Sequence, residues 1–129
     1  MLDRLVQAEL EEAYRITGHR ASSSYSGAKI LWVRNHQPDI FRQTYKFLQA
    51  KDFVVARLTG NFVTDYSDAS GTNLYDLQAA DWSGAILDAV GLDRAVLPEL
   101  HASSDVVGEI TAEAAAQVGL SQGTPVVIG

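Results

Sequence analysis

Apolar residues fall along this chain in two rhythms. From Asp3 to Ile16, Leu5, Ala8, Leu10, Ala13, Tyr14 and Ile16 lie on or near one stripe, while Glu9, Glu11, Glu12 and Arg15 fall mostly elsewhere. That is the period of an amphipathic helix, and Thr17-Gly18 closes it. A serine-rich loop follows, then a second helix from about Gly27. Ile30, Leu31, Trp32 and Val33 make this helix apolar nearly all round, so it is expected to be buried. Pro38 suits a first helical position and Asp39 the positive end of the dipole, so Pro38 to Gln43 reads as a short third helix.

Tyr45 to Gln49 reads as a short strand carrying Phe47 and Leu48, and Asp52 to Leu58 as a helix leaving through Thr59-Gly60. Phe62 and Val63 open an extended segment. Asp65 to Thr72 is crowded with Asp, Ser and Gly, which bond their own backbone, and reads as a loop or a single helical turn. Leu74 to Leu77 is extended. Asp81-Trp82-Ser83 caps a helix bearing Ile86, Leu87 and Val90 and stopped at Gly91. Pro98 interrupts, Val106-Val107 is a short strand, Thr111 caps a helix ended by Gly119, and Pro125 to Ile128 is the last strand. Val90-Gly91-Leu92 and Val118-Gly119-Leu120 both place an apolar residue after the glycine, as a Schellman cap prefers. Helices alternating with short strands indicate an α/β or α+β class.

Composition narrows the picture by exclusion. At 129 residues, 47% hydrophobic and 20% charged, one folded domain with its own core is the expectation. No cysteine is present, so there is no disulfide framework, thiolate metal site or cysteine nucleophile, and a reducing cytoplasm fits. A net charge of −6 without a basic cluster argues against nucleic acid as a partner, because that affinity comes from Lys and Arg neutralising phosphates. Apolar runs such as Phe53-Val54-Val55-Ala56 are far short of the ~20 residues a membrane helix needs, so no membrane partner is expected. The chain opens on a helix pattern and closes on a buried-strand pattern, Val126-Val127-Ile128, and so reads as a piece of a longer chain. That strand, lacking neighbours, offers an edge through which a homodimer could form.

Four groupings could carry chemistry. Ser26-Gly27-Ala28-Lys29 has the Ser-x-x-Lys spacing that brings an amine to a nucleophilic hydroxyl on one helical turn, but the companion motifs of that chemistry are missing. Asp65, Asp68, Asp76 and Asp81 could offer oxygens to a divalent metal; their spacing does not match a calcium loop, and structural turn and cap roles are favoured. His19, His36 and His101 lack metal-ligand spacing and read as surface or capping histidines, and Trp32 and Trp82 as core or edge anchors. No Walker loop and no dinucleotide glycine fingerprint occur. On these grounds the residues describe a soluble acidic α/β domain and no particular reaction.

The stretch from Ser24 to His36 nevertheless resembles a signature of the FGGY family of carbohydrate kinases. Ser24, Ser26, Lys29, Ile30, Trp32, Asn35 and His36 meet every constrained position of that pattern. Asp52, Leu58-Thr59-Gly60, Val63-Thr64-Asp65, Tyr75-Asp76, Asp81-Trp82-Ser83, Gly91-Leu92, Val107-Gly108 and Gly123-Thr124-Pro125-Val126-Val127 follow in the family's order. The run from Thr64 to Thr72 is most similar to xylulokinases, while glycerol, gluconate and autoinducer kinases share much of the frame.

The resemblance implies a helix-rich α/β fold with short strands, part of an actin-like, ribonuclease H-like domain. It implies a parent enzyme that transfers the γ-phosphate of ATP, with Mg2+, to a ketopentose hydroxyl. Phosphoryl transfer of this kind depends on positioning and charge stabilisation more than on covalent chemistry. By the same resemblance the first phosphate loop precedes Met1, the catalytic aspartate lies just past Gly129, and most of the nucleotide site belongs to a second domain. Hence no catalytic and no metal-binding residue is expected in this chain, and the isolated piece is expected to be inactive and to bind no cofactor. Two residues are expected near the sugar: Ser24, where glycerol kinases hold a polyol-contacting tyrosine, and Lys29, which matches a lysine near the sugar in ribulose kinases. Asp65 is expected to fix its loop by accepting backbone N–H bonds. The alternatives are a kinase for glycerol, gluconate or ribulose, and a non-catalytic sugar-binding or interaction module.

Overall fold

The structure, a computed structural model, describes residues 2–129, with side chains from Gln7 onward. In chain order the elements are α1 (Leu2–Thr17), α2 (Ser26–His36), α3 (Pro38–Gln43), α4 (Ala50–Thr59), β1 (Val63–Asp65), α5 (Tyr66–Ser70), β2 (Tyr75–Asp76), β3 (Asp81–Trp82), α6 (Gly84–Val90), a 3₁₀ turn (Arg94–Val96), β4 (Glu99–His101), β5 (Val106–Glu109), α7 (Ala112–Val118) and β6 (Pro125–Val127). They group into two compact units, 1–45 with 69–96, and 46–68 with 97–129.

In the first unit, the described side chains of α1 pack near its C-terminal end. Thr17 is buried and Ala13 and Ile16 are half-buried, but Leu10 and Tyr14 are exposed, and the Leu5 side chain lies outside the described residues. Helix α2 corrects a sequence expectation: Gly27 and Ile30 are its buried residues and Trp32 is 52% exposed, stacked on His36 with ring centroids 4.7 Å apart. A helix apolar all round has no periodicity with which to choose a face. The choice comes from Gly27, whose N–H donates to the Thr72 carbonyl at 2.8 Å. A Cβ there would lie 2.7 Å from that oxygen, so only glycine permits the approach.

The β2–β3 ribbon pairs Tyr75 with Trp82, both buried, their rings edge to face at 6.5 Å. Ser83, rather than Asp81, caps α6, accepting the Ile86 N–H at 3.3 Å. The helix ends as the sequence indicates, with Gly91 left-handed, the Leu92 N–H returned to the Leu87 carbonyl at 2.9 Å, and Leu92 buried. The Arg34 guanidinium donates to the Val90 and Gly91 carbonyls, placing a cation at the negative end of α6. Helix α7 ends differently: the Gly119 N–H donates to Ala115 in a single αL bond, and Leu120 stays exposed.

The second unit is built around Val55, Val63, Val107 and Ile128, with Val126 against them. Strand β1 is buried along its length and runs parallel to β4, Thr64 opposite Leu100. Strands β5 and β6 are antiparallel with an irregularity between Val106 and Gly108. Strand β4 was not legible: Pro98 before it and an alternating Glu99-Leu100-His101 conceal a strand that exists because β1 provides a partner. Conversely, Tyr45–Gln49 is not a strand. It has no ladder, and its extended backbone leads into α4, where the Gln49 N–H donates to Asp52 at 3.1 Å in a capping box.

One ion cluster ties this unit together. Lys51 Nζ lies 3.0 Å from Asp52, 2.9 Å from Asp65 and 3.4 Å from Asp68, with Asp52 and Asp65 almost fully buried. Ser103 donates to the second Asp65 oxygen at 2.5 Å. Burial pushes the Asp65 carboxyl up, but the Ser103 hydrogen bond and the Lys51 ammonium outweigh it and hold it below its ordinary 3.8. Burial likewise pulls Lys51 down, and its hydrogen bonds to Asp65 and Asp52 outweigh that, raising it above 10.5.

Signs follow from linkage. A depressed Asp65 stabilises the fold above about pH 3.8 and loses that contribution as pH falls through its folded value; a raised Lys51 stabilises below about pH 10.5 and loses its contribution as pH rises through its folded value. Asp65→Asn is therefore expected to lower stability at pH 7 by about 1–3 kcal/mol. In urea titrations at a series of pH values, the gap between parent and variant should close below the folded value of Asp65. A gap that persists undiminished at acid pH would show that the charge on Asp65 contributes nothing.

Candidate functional site

The sequence-selected residues lie on the serine loop and the start of α2, in the first unit. Helix α1 releases the chain at Gly18, whose φ is +72°, and the Gly18 N–H closes on the Tyr14 carbonyl at 2.8 Å. Thr17 Oγ1 accepts the His19 N–H at 3.1 Å, and the Asn73 side chain donates to the Arg20 carbonyl at 3.1 Å. The loop then folds on its own hydroxyls: Ser22 and Ser24 Oγ are 2.8 Å apart and the Ser24 N–H donates to Ser22 Oγ at 3.2 Å. Ser24 is exposed. So is Lys29, on the first turn of α2, with no ion-pair partner among the described residues.

Beside the loop is a groove of about 480 Å³, within the usual range of small-molecule sites. Its walls are mostly apolar, including Leu31, Leu74, Ile86 and Val90, while His19, Ser22, Ser23 and Asn73 supply the polar edge. Neither Ser24 nor Lys29 is among the lining residues. The Asn73 amide oxygen is buried with no hydrogen-bond partner among the described residues, and Asn73 itself has a φ of +63°.

The four aspartates do not converge. Asp65 and Asp68 share Lys51, so an ammonium stands where a hard cation would have to be. Asp65 does accept a backbone N–H, from Asp68 at 3.4 Å, as a capping residue would, but its ammonium and hydroxyl partners are the closer ones. Asp76 accepts the Gln78 and Ala79 N–H groups at 2.8 and 3.0 Å, closing a turn. Asp81 takes a bidentate pair from Arg94 at 2.9 and 2.6 Å, which holds its carboxyl below the ordinary range. Among the described residues no group of three or more His, Asp or Glu is arranged to hold a metal ion. The residues here do not fit a magnesium site.

Sequence reading missed Lys51 and Ser103, whose partners lie 14 and 38 positions away, and it gave His19 a surface or capping role. The ring is half-buried between Tyr25 and Ser70. A Lys-Asp pair beside a helix start was the only signal for Lys51. For the histidine there was none, because hydroxyl partners leave no pattern in a serine-rich chain.

Comparison with known proteins places this geometry. Residues 2–129 match the model of the FGGY family of carbohydrate kinases, N-terminal domain. Xylulose kinase of Escherichia coli (strain K12) is 38% identical over 125 residues, 97% of this chain and 26% of that protein. Autoinducer-2 kinase of Enterobacter sp. (strain 638) is 36% identical over 118 residues, 92% of this chain and 22% of that protein. The crystal structure of xylulose kinase from Rhodospirillum rubrum superimposes with a TM-score of 0.86 at 28% identity, covering 96% of this chain and 26% of that one. The chain thus spans about a quarter of the length of the curated relatives it matches. Its helices and short strands form part of the actin-like, ribonuclease H-like fold of these sugar kinases. The chain belongs to the FGGY family of carbohydrate kinases, within the N-terminal domain of that family.

Proposed function

We propose that this chain is the middle of the sugar-binding domain of a cytoplasmic, ATP-dependent sugar kinase whose substrate is a ketopentose such as xylulose. The observation that carries the reading is identity of 38% to a xylulose kinase sustained across 97% of the chain. The run from Thr64 to Thr72, the most xylulokinase-like in sequence, accords with it: Asp65 is locked by Lys51 and Ser103, a structural rather than a catalytic setting. Magnesium and ATP are assigned no residue here, since the clustered carboxylates are already neutralised by Lys51 and Arg94. Among the described residues no helix is long and apolar enough to cross a membrane.

Within this reading Ser24 and Lys29 are the sugar contacts. Both are exposed, and Lys29, with no ion-pair partner among the described residues, offers its ammonium donors to hydroxyls or a developing phosphate charge. Strand β6 adds a proposal about assembly: β5 occupies one of its edges, and among the described residues no strand pairs with the other, so the free chain is expected to self-associate there.

Three outcomes test this. The isolated chain, given magnesium, ATP and xylulose in a coupled assay, should show no turnover; measurable phosphorylation would refute the absence of catalytic groups. In the complete kinase, Lys29→Ala should raise the Michaelis constant for the sugar by about tenfold, the value of one charge-assisted hydrogen bond. An unchanged constant would return Lys29 to the helix surface. Light scattering of the isolated chain should give a mass above the monomer's, and a monomer at all concentrations would remove the proposal for β6.

A further inference from the structure

Three segments of the first unit meet at one imidazole. His19 Nδ1 lies 3.3 Å from the Tyr25 hydroxyl, and Nε2 lies 3.3 Å from Ser70 Oγ. Each hydroxyl can donate or accept, so the neutral ring finds both a donor and an acceptor in either tautomer. The His19 and Tyr25 rings also touch, with centroids 5.2 Å apart at 41°. His19 follows the end of α1 after Gly18, Tyr25 immediately precedes α2, and Ser70 closes α5. The trio therefore brackets the serine loop and fastens both of its ends to a third segment.

The loop needs such a bracket. Tyr25, at the N-cap of α2, makes no side-chain cap hydrogen bond, and the loop's own backbone bond, Tyr25 N–H to Ser22, is long at 3.4 Å. Ser22, Ser23 and Ser24 are all exposed. Hydroxyl–hydroxyl bonds on an exposed loop exchange with water at little net cost, so they do not select one conformation. Anchors outside the loop do: the Asn73 amide on Arg20, the Gly27 N–H on Thr72, and the His19 trio. His19, Ser22 and Ser23 also line the groove, and Ser24 adjoins that lining in sequence, next to Tyr25 of the bracket.

We infer that His19, Tyr25 and Ser70 are positioning residues that hold the serine loop in its sugar-binding arrangement, a role resting on the assignment of Ser24 as a contact to the hydroxyls of a ketose or polyol. A loop ordered beforehand spares the ligand the entropy of ordering it, so the trio acts on affinity rather than on the chemical step.

The test uses the complete kinase containing this chain. Tyr25→Phe and Ser70→Ala each delete one hydroxyl and leave the imidazole in place, while Ser70→Thr retains the hydroxyl. Amide hydrogen exchange across 19–26 should quicken about fivefold in the first two variants, the loss of one net hydrogen bond. Their KM for the sugar should rise by about three- to tenfold with kcat changed less than about twofold, and Ser70→Thr should resemble the parent. Unchanged exchange in both deletions overturns the bracket. Faster exchange with an unchanged KM overturns its role in binding, and Ser24→Ala measured alongside separates the causes. If Ser24→Ala also leaves KM unchanged, the assignment of the loop to the sugar has failed. If Ser24→Ala raises KM and the trio variants do not, only the positioning role has failed.

Discussion

The ammonium of Lys51 is the interaction on which the second unit depends. Three carboxylates surround it, and two of them, Asp52 and Asp65, are almost completely withdrawn from water. A buried carboxylate without a partner is costly enough that removing one member of such a set typically loses several kcal/mol. The partners come from different places in the fold. Asp52 belongs to the first turn of α4 and secures its capping box, Asp65 ends β1, Asp68 sits on α5, and Ser103 follows β4. One point charge therefore fixes a helix start, a strand end and a turn at once, and Ser103 extends the connection to the last residue, whose N–H donates to the Ser103 carbonyl at 2.9 Å.

Polar fastening of this kind compensates for a small apolar core. Val55, Val63, Val107 and Ile128 form the cluster of the second unit, and many of the remaining large apolar residues are exposed, among them Phe53, Val54, Val106 and Val127. The first unit adds polar fastenings to a broader set of buried apolar residues, Ile30, Leu74, Tyr75, Trp82, Leu87 and Leu92. Arg34 closes the end of α6, Arg94 grips Asp81, and His19 ties the serine loop, while Trp32, Ile40 and Tyr45 lie on the surface. In both units hydrogen bonds and ion pairs between residues distant in the chain add to apolar burial in fixing the geometry. Under the proposed sugar-binding role of the serine loop, a backbone already held still beneath the exposed serines spares the ligand the entropy of ordering it.

What the sequence determined by itself is whatever neighbouring residues decide. Helix starts at Pro38, Ser83 and Thr111, the glycine stops at Gly18, Gly60, Gly91 and Gly119, and the turn built by Asp76 are all local matters of caps and backbone freedom, and they stand where the residues place them. The signature around Lys29 identified the family for a related reason, since a fixed spacing of residue types survives in the order of the chain. Tertiary structure decided everything that needs a distant partner. Strand β4 exists because β1 lies beside it, Tyr45–Gln49 is no strand because nothing does, and the uniformly apolar α2 takes its buried face from one glycine against Thr72. The partners of Asp65 and His19 belong to the same class. Side chains tens of positions apart leave no periodicity, so only folding shows that an apparent cluster of aspartates is an ammonium's cage and that an isolated histidine lies between the hydroxyls of Tyr25 and Ser70.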